Sequence, residues 1–181
     1  MAKDINSKQA HIDRQIILDA ALSLVLEHGV QNVSLRKIAA KIPCSAPTIY
    51  YHFRNKQEII SNLWENHLQK VLQDSLKHIS LRDILNSYGQ HWLLNRNLFS
   101  LIYINQQLEI EELPSYKKFQ QVLVQKLEAN HDQQRARQRS IILLSSIHGL
   151  LLSNVHNNFS LEESRQLLNQ TIQLLISSDL F

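Results

Sequence analysis

Apolar residues recur at three- and four-residue spacing along most of the chain, which is the period of an amphipathic α-helix. One such stripe runs over residues 12–28, and Gly29 follows it at the place of a left-handed C-cap. Ser34, a good N-cap residue, precedes a second stripe over residues 35–42, which ends before Pro43. The pattern therefore predicts a long first helix and a short second helix.

A third helix follows the second after only a few residues. The turn passes through Cys44 and Ser45, and Pro47 has the fixed φ that suits the first turn of a helix reaching to about Phe53. Two short helices joined by so tight a turn are typical of a helix-turn-helix unit. Asn55 is placed to cap a longer fourth helix, and the periodicity predicts further helices over 81–95, 98–110, 115–130, 132–156 and 161–177.

Composition favours the same fold class. The chain has three glycines and three prolines, which are too few to punctuate a many-stranded β fold. We expect an all-α protein of about nine helices, with a three-helix head over residues 11–71 and a helical body over residues 72–181.

The formal net charge of +3 is unevenly distributed. Residues 1–56 carry eight basic and four acidic side chains, so the positive excess lies in the head and indicates a polyanionic partner there. With a single cysteine, Cys44, the chain can form no internal disulfide, which suits a reducing cytosol. The longest apolar run, over residues 141–152, is interrupted by polar side chains, so we expect no membrane span and a cytoplasmic protein.

The third helix has two chemically different sides. Ile49 and Phe53 are four residues apart and should face the first two helices. Thr48, Tyr50 and Tyr51 then point away or to the flanks. A helix of this size fits the major groove of B-DNA, where outward side chains reach base edges and hydroxyls bond phosphate oxygens.

The stretch from Ser34 to Lys56 reads Ser-Leu-Arg-Lys-Ile-Ala-Ala at its start and Pro-Thr-Ile-Tyr-Tyr-His-Phe-Arg-Asn-Lys at its end. In this order and spacing it resembles the signature of the tetracycline-repressor (TetR) family, over roughly residues 12–64. The resemblance implies phosphate contacts along the second, third and fourth helices and base contacts from the exposed side of the third. The residues it assigns to DNA are Ser34, Arg36, Lys37, Ser45, Ala46, Pro47, Thr48, Tyr50, Tyr51, His52 and Lys56.

The chain departs from that signature at the turn between the second and third helices. Pro43 stands where the family usually has glycine, and Cys44 replaces a small aliphatic residue. Because proline cannot adopt a positive φ, the turn must differ locally from the family pattern.

The last two predicted helices are apolar around most of their circumference, which exceeds a single core-facing stripe. One face would pack on the protein's own core and the other on a second copy, and the TetR resemblance likewise implies a homodimer. A wholly internal hairpin is the alternative. The residues expected at the dimer contact are Ile141, Leu144, Ile147, Leu151, Val155, Leu168, Ile172 and Leu175.

The middle helices combine aromatic side chains with hydrogen-bonding groups. The TetR resemblance implies a cavity there for a small-molecule effector that releases the protein from a pseudo-palindromic operator. Aromatic residues at helical spacing are more often plain core, so a ligand site and a core both stay open. The candidate residues are Tyr88, His91, Trp92, Phe99, Tyr103, Gln107, Tyr116, Phe119 and His148.

Enzyme chemistry has no motif in this chain. No two histidines are three or four residues apart, as paired metal ligands on one helix would be, and no glycine-rich phosphate loop, G-x-S-x-G or Cys-x-x-Cys occurs. We therefore expect no catalysis, cofactor or metal. The alternative to a regulator that binds double-stranded DNA is a helical protein-interaction module with a degenerate head, because Ala46 offers no hydrogen bond to a base.

Overall fold

The computed structural model describes residues 12–103, 110–157 and 159–177. Within these ranges the chain forms nine α-helices and no strand, which confirms the predicted all-α fold. No helix in these ranges combines the length and the apolar character that crossing a bilayer requires. The helices are α1 (Arg14–His28), α2 (Leu35–Lys41), α3 (Ala46–His52), α4 (Lys56–Ser75), α5 (Leu81–Leu94), α6 (Arg96–Tyr103), α7 (Pro114–Glu128), α8 (Gln133–Asn157) and α9 (Leu161–Ser177).

The first helices begin and end at residues whose chemistry explains the boundary. Asp13 Oδ1 accepts a hydrogen bond from the Ile16 N–H at 2.9 Å, which satisfies a free donor at the start of α1. Gly29 ends α1 with a φ of 76°, a conformation that residues with a Cβ rarely adopt. Ser34 Oγ accepts from the Lys37 N–H at 3.3 Å and so caps α2.

Two compact units divide the chain, Met1–Leu63 and Trp64–Phe181, and the division falls inside α4. The expected boundary between residues 71 and 72 also lies within α4 and stays a prediction.

The N-terminal unit is built on an apolar centre to which each of its helices contributes. Ile17 of α1, Ile38 of α2, Ile49 of α3 and Ile59 of α4 are each at most 1% exposed. Fully burying one such side chain stabilises a fold by roughly 1.5–3 kcal/mol, so these four positions hold the short helices α2 and α3 in place.

The turn between α2 and α3 is built around Pro43. The Cys44 N–H donates to the Ile42 carbonyl oxygen at 2.7 Å, which closes a three-residue γ-turn with Pro43 at its centre. The inverse form of this turn needs a central φ near the value that the pyrrolidine ring imposes. The chain therefore reverses between the two helices without the positive φ that a glycine would supply.

In the C-terminal unit, α5 packs against α6, α8 and α9, and α8 also packs against α6, α7 and α9. The predicted sixth helix over 98–110 begins earlier, at Arg96, and its last described residue is Tyr103. Residues 104–109 lie outside the described ranges. A turn of 3₁₀ helix at Ile110–Glu112 precedes α7.

Most of the side chains expected at the dimer contact lie in the core of a single chain. The structure corrects the expectation for these side chains, because their helix sides face neighbouring helices of the same unit, while the dimer itself and the alternative of an internal hairpin stay predictions. Ile141, by contrast, is 56% exposed and Leu175 is half-buried, while the side chain of Val155 lies outside the described part. The five residues buried within the chain are Leu144, Ile147, Leu151, Leu168 and Ile172.

Candidate functional site

Helix α3 buries one side and exposes the other. With about 100° of rotation per residue, Pro47, Tyr50 and Tyr51 fall within one arc, opposite Ile49 and Phe53. Tyr50 is 59% exposed and Tyr51 is 86% exposed, whereas Ile49 and Phe53 are at most 1% exposed. The prediction for the two sides of this helix is therefore confirmed, and its outer arc carries two phenol groups that the core does not use.

Hydroxyl groups stand at the start of α3. Ser45 Oγ accepts a hydrogen bond from the Thr48 N–H at 3.4 Å and lies 2.9 Å from Thr48 Oγ1. One hydroxyl hydrogen serves the bond between these two side chains, which leaves the other free to reach a phosphate oxygen. Ala46, Thr48 and His52 are half-buried on the flanks of the exposed arc.

Two lysines from different helices converge on the short 3₁₀ turn Val30–Asn32. Lys37 Nζ donates to the Asn32 carbonyl oxygen at 2.8 Å, and Lys56 Nζ donates to the Gln31 carbonyl oxygen at 3.3 Å. Each ammonium group has three donors, so this bond leaves two for an anion. The structure thus brings to one turn two of the cations that the resemblance assigns to DNA, and Arg36 is exposed on α2.

Arg14 was missed by the sequence analysis, and it joins α3 to α1 and α4. Its guanidinium donates to the His52 carbonyl oxygen and, at 3.2 Å, to Asn62 Oδ1. It also lies 4.1 Å above the centroid of the Phe53 ring and 3.6 Å from the Glu58 carboxylate. The position of a basic residue at the start of a helix does not predict which distant residues its side chain contacts. Arg14 thus holds the end of α3 against α1 and α4.

Cys44 is half-buried beside the turn. Burial raises the pKa of its thiol, which keeps it protonated and weakly reactive at neutral pH.

A second candidate site, in the C-terminal unit, is an aromatic cluster around one hydrogen-bonded chain. Tyr88 Oη lies 2.9 Å from Tyr103 Oη and 2.8 Å from His148 Nε2. The ring of His148 packs 4.5 Å from that of Tyr103, and the rings of Tyr88 and Phe119 are 5.0 Å apart. The residues brought together here, which we call the aromatic cluster, are Tyr88, Trp92, Phe99, Tyr103, Tyr116, Phe119 and His148.

Burial keeps every titratable group of the aromatic cluster uncharged near neutral pH. It lowers the pKa of His148 to about 4 and raises the pKa of Tyr116 to about 12. It also raises the pKa values of Tyr88 and Tyr103 well above their usual range. The hydrogen-bonding groups of the aromatic cluster are therefore uncharged and lie among apolar rings.

Two candidate ligand residues lie elsewhere. The ring of His91 makes an edge-to-face contact with Trp92, with ring centroids 5.3 Å apart, and its Nε2 atom faces His67, a residue that the sequence analysis did not single out. Gln107 lies outside the described residues.

Known proteins resemble the N-terminal part of this chain in sequence. Residues 17–63 match the family model for bacterial regulatory proteins of the tetR family. The class D tetracycline repressor protein of Escherichia coli is 37% identical over 54 residues, which are 30% of this chain and 25% of that protein. The chain thus spans about a quarter of the length of the curated relatives it matches.

Solved structures resemble nearly the whole chain in fold. A TetR variant from Acinetobacter baumannii AYE in complex with minocycline has a TM-score of 0.68 at 21% identity, over 92% of this chain and 95% of that chain. The transcriptional regulator FadR from Bacillus subtilis in complex with stearoyl-CoA has a TM-score of 0.67 at 19% identity, over 91% and 98% of the two chains. At such identities the likeness shows the fold alone.

Proposed function

We propose that the protein is a sequence-specific, DNA-binding transcription regulator, because residues 17–63 match the family model for bacterial regulatory proteins of the tetR family. The observation that carries the proposal is the outer arc of α3, where Tyr51 is 86% exposed one turn from the exposed Pro47. A short helix held by its opposite side and presenting phenol groups outward has the dimensions and chemistry of a helix that reads the major groove.

Phosphate contacts and base contacts come from different residues in this proposal. Lys37 and Lys56, held on the 3₁₀ turn after α1, and the exposed Arg36 supply positive charge for phosphate oxygens. The hydroxyl groups of Ser45 and Thr48 add neutral phosphate donors at the start of α3. The proposed phosphate contacts also include those of Ser34, Tyr50 and His52. The residues assigned to base edges are Ala46, Pro47 and Tyr51.

The regulator acts as a homodimer in this proposal, since helix-turn-helix heads reach two half-sites of a pseudo-palindromic operator as a pair. With the buried apolar side of α8 occupied by its own core, the surface left for a partner is the opposite side. Ile141, Ser145 and Gly149 are exposed there at four-residue spacing, and Leu174 of α9 is 68% exposed. A Cβ added at Gly149 would meet no atom of the chain within 4 Å, so a second helix has room to approach.

A small apolar molecule with a few hydrogen-bonding groups is the proposed effector, bound in the aromatic cluster. Solved structures of similar fold hold minocycline and stearoyl-CoA, which supports an organic effector in general. Tyr88, Trp92 and Phe119 are fully buried, so the ligand has to displace packed rings to enter. By binding better to a dimer whose heads do not match the operator, it shifts the population away from DNA and makes the regulator a repressor.

Two substitutions on the proposed interface test these roles. Tyr51→Ala removes a side chain that touches solvent, so it should leave folding intact and relax sequence preference, by about 1–3 kcal/mol of discrimination at one base pair. Lys56→Ala should weaken binding to every duplex alike and reduce the salt slope of log K by about 1 per head. Fluorescence anisotropy with an operator selected from random DNA and with a scrambled duplex measures both.

The opposite pattern, with Tyr51→Ala weakening all duplexes equally and Lys56→Ala changing base preference, contradicts the role assignments. Ile79→Ala serves as a control. Ile79 is as exposed as Tyr51, at 86%, but it lies between α4 and α5 and not on α3. If the folded wild-type protein binds no duplex at low salt, the alternative of a protein-interaction module with a degenerate head replaces the proposal.

A further inference from the structure

Two histidines meet across α4 and α5, outside the aromatic cluster and the helix-turn-helix. The Nε2 atoms of His67 and His91 are 3.2 Å apart, and their ring centroids are 5.3 Å apart. Both rings pack against Trp92, at centroid distances of 5.5 Å and 5.3 Å, and Trp92 is fully buried. The two imidazoles are thus held facing each other by one rigid neighbour.

The distance between the two nitrogens matches the bite of a metal ion. If an ion sits about 2.05 Å from each Nε2 atom, the 3.2 Å separation gives an N–metal–N angle of about 103°, near the tetrahedral value. The same arrangement places the ring centroids about 5.0 Å apart, against the 5.3 Å observed. An ion therefore needs movements of only a few tenths of an ångström to be accommodated.

Tautomer and local charge bear on the binding of a cation. At 3.2 Å the two Nε2 atoms are within hydrogen-bond distance, so in the absence of an ion one of them donates to the other. Binding of an ion requires both rings to carry their proton on Nδ1, which leaves a lone pair on each Nε2 atom. Charged groups act on both rings: the Lys70 ammonium acts on His67, and the Asp74 carboxylate, itself paired with Lys77 at 2.5 Å, acts on His91.

An open polar cavity of about 590 Å³ reaches His91 and gives an ion an entry path. Asp74, Asp83 and Asn86 line it as well. No group of three histidine, cysteine or acidic side chains in the described part could enclose a metal, so water would complete the coordination.

We propose that His67 and His91 bind one divalent transition cation of the zinc type, in a water-completed site that bridges α4 and α5. Imidazole nitrogen is a ligand for zinc, copper and nickel and a poor one for magnesium or calcium. The spacing of histidines along the chain misses such a site, because its two ligands are 24 residues apart on different helices.

The test is a zinc titration of the full chain at pH 7, in a Cys44→Ser background that removes the thiol as a competing ligand. A chromophoric chelator competing for Zn²⁺ gives stoichiometry and affinity. We expect one ion per chain at this site, with at least tenfold weaker binding in His67→Gln and in His91→Gln. The double variant should lose less binding free energy than the sum of the two single losses, because both histidines serve one ion.

His131→Gln is the matched control, since it removes an imidazole of the same unit between α7 and α8, and it should leave zinc affinity unchanged. Equal affinity in wild type, His67→Gln and His91→Gln would overturn the proposal, and so would a wild-type chain that binds no zinc. X-ray absorption of zinc-loaded wild-type protein tests the site without any substitution. Two imidazole ligands support it, while one or none contradicts it.

Discussion

Acid should destabilise the C-terminal unit through His148, whose Nε2 atom lies 2.8 Å from Tyr88 Oη inside the aromatic cluster. Burial lowers the pKa of His148 to about 4, against about 6.5 in the unfolded chain. At a pH between these two pKa values, His148 binds a proton in the unfolded state but not in the folded state. The free energy of unfolding therefore falls as the pH falls through this window. The contribution of neutral His148 to the free energy of unfolding is fully present above about pH 6.5. At pH 4.5 roughly 2.5 kcal/mol of this free energy is lost.

Urea unfolding at pH 7 and pH 4.5 measures the effect, with His148→Gln as the comparison. Glutamine keeps a hydrogen-bonding group near Tyr88 but does not titrate. Half-buried His67 and the surface carboxylates titrate in both proteins and cancel in the difference. The wild type should lose about 2.5 kcal/mol more than the variant on acidification. Equal losses in the two proteins would mean that His148 is solvated and that the neutral cluster does not exist in solution.

Two further substitutions test the packing of the C-terminal unit. Gly89→Ala places a Cβ 2.7 Å from both Cδ atoms of Leu168, which is fully buried. We therefore expect the free energy of unfolding, measured in urea, to fall by about 1–3 kcal/mol. Unchanged or higher stability would contradict the contact between α5 and α9. Leu174→Glu puts a charge on the proposed dimer surface and should shift the monomer–dimer equilibrium in analytical ultracentrifugation by more than tenfold, since burying each leucine contributes about 1.5–3 kcal/mol. Ile79→Glu, at an exposed position between α4 and α5, should not shift it, and a dimer unaffected by Leu174→Glu places the interface elsewhere.

The helices of the N-terminal unit were predictable because local chemistry decides their boundaries. Ser34 caps α2 and Gly29 ends α1 as the sequence indicates, and four-residue spacing puts Ile49 and Phe53 on the buried side of α3. The turn at Pro43 was predicted to differ from the family pattern. Its γ-turn geometry required the positions of both neighbouring helices, which short-range patterns do not contain.

Contacts between distant segments were not predictable from periodicity. Helix α8 is apolar on several sides, so the pattern could not tell the side that packs on its own unit, with Leu144 and Ile147, from the side that carries the exposed Ile141. The bonds of Arg14 and the pairing of His67 with His91 depend on how helices cross in space. The three- and four-residue spacing of apolar residues within one helix does not show where that helix crosses another.

The salt dependence of binding to duplex DNA tests the central claim most directly. With Arg36, Lys37 and Lys56 on phosphates in each of two heads, log K should fall linearly with log salt at a slope of about −5. Fluorescence anisotropy with a selected operator, between about 50 and 200 mM salt, measures this slope. The account predicts that steep decline, together with tighter binding to the operator than to a scrambled duplex. A folded protein that binds neither duplex at low salt, or binds both without salt dependence, would contradict it.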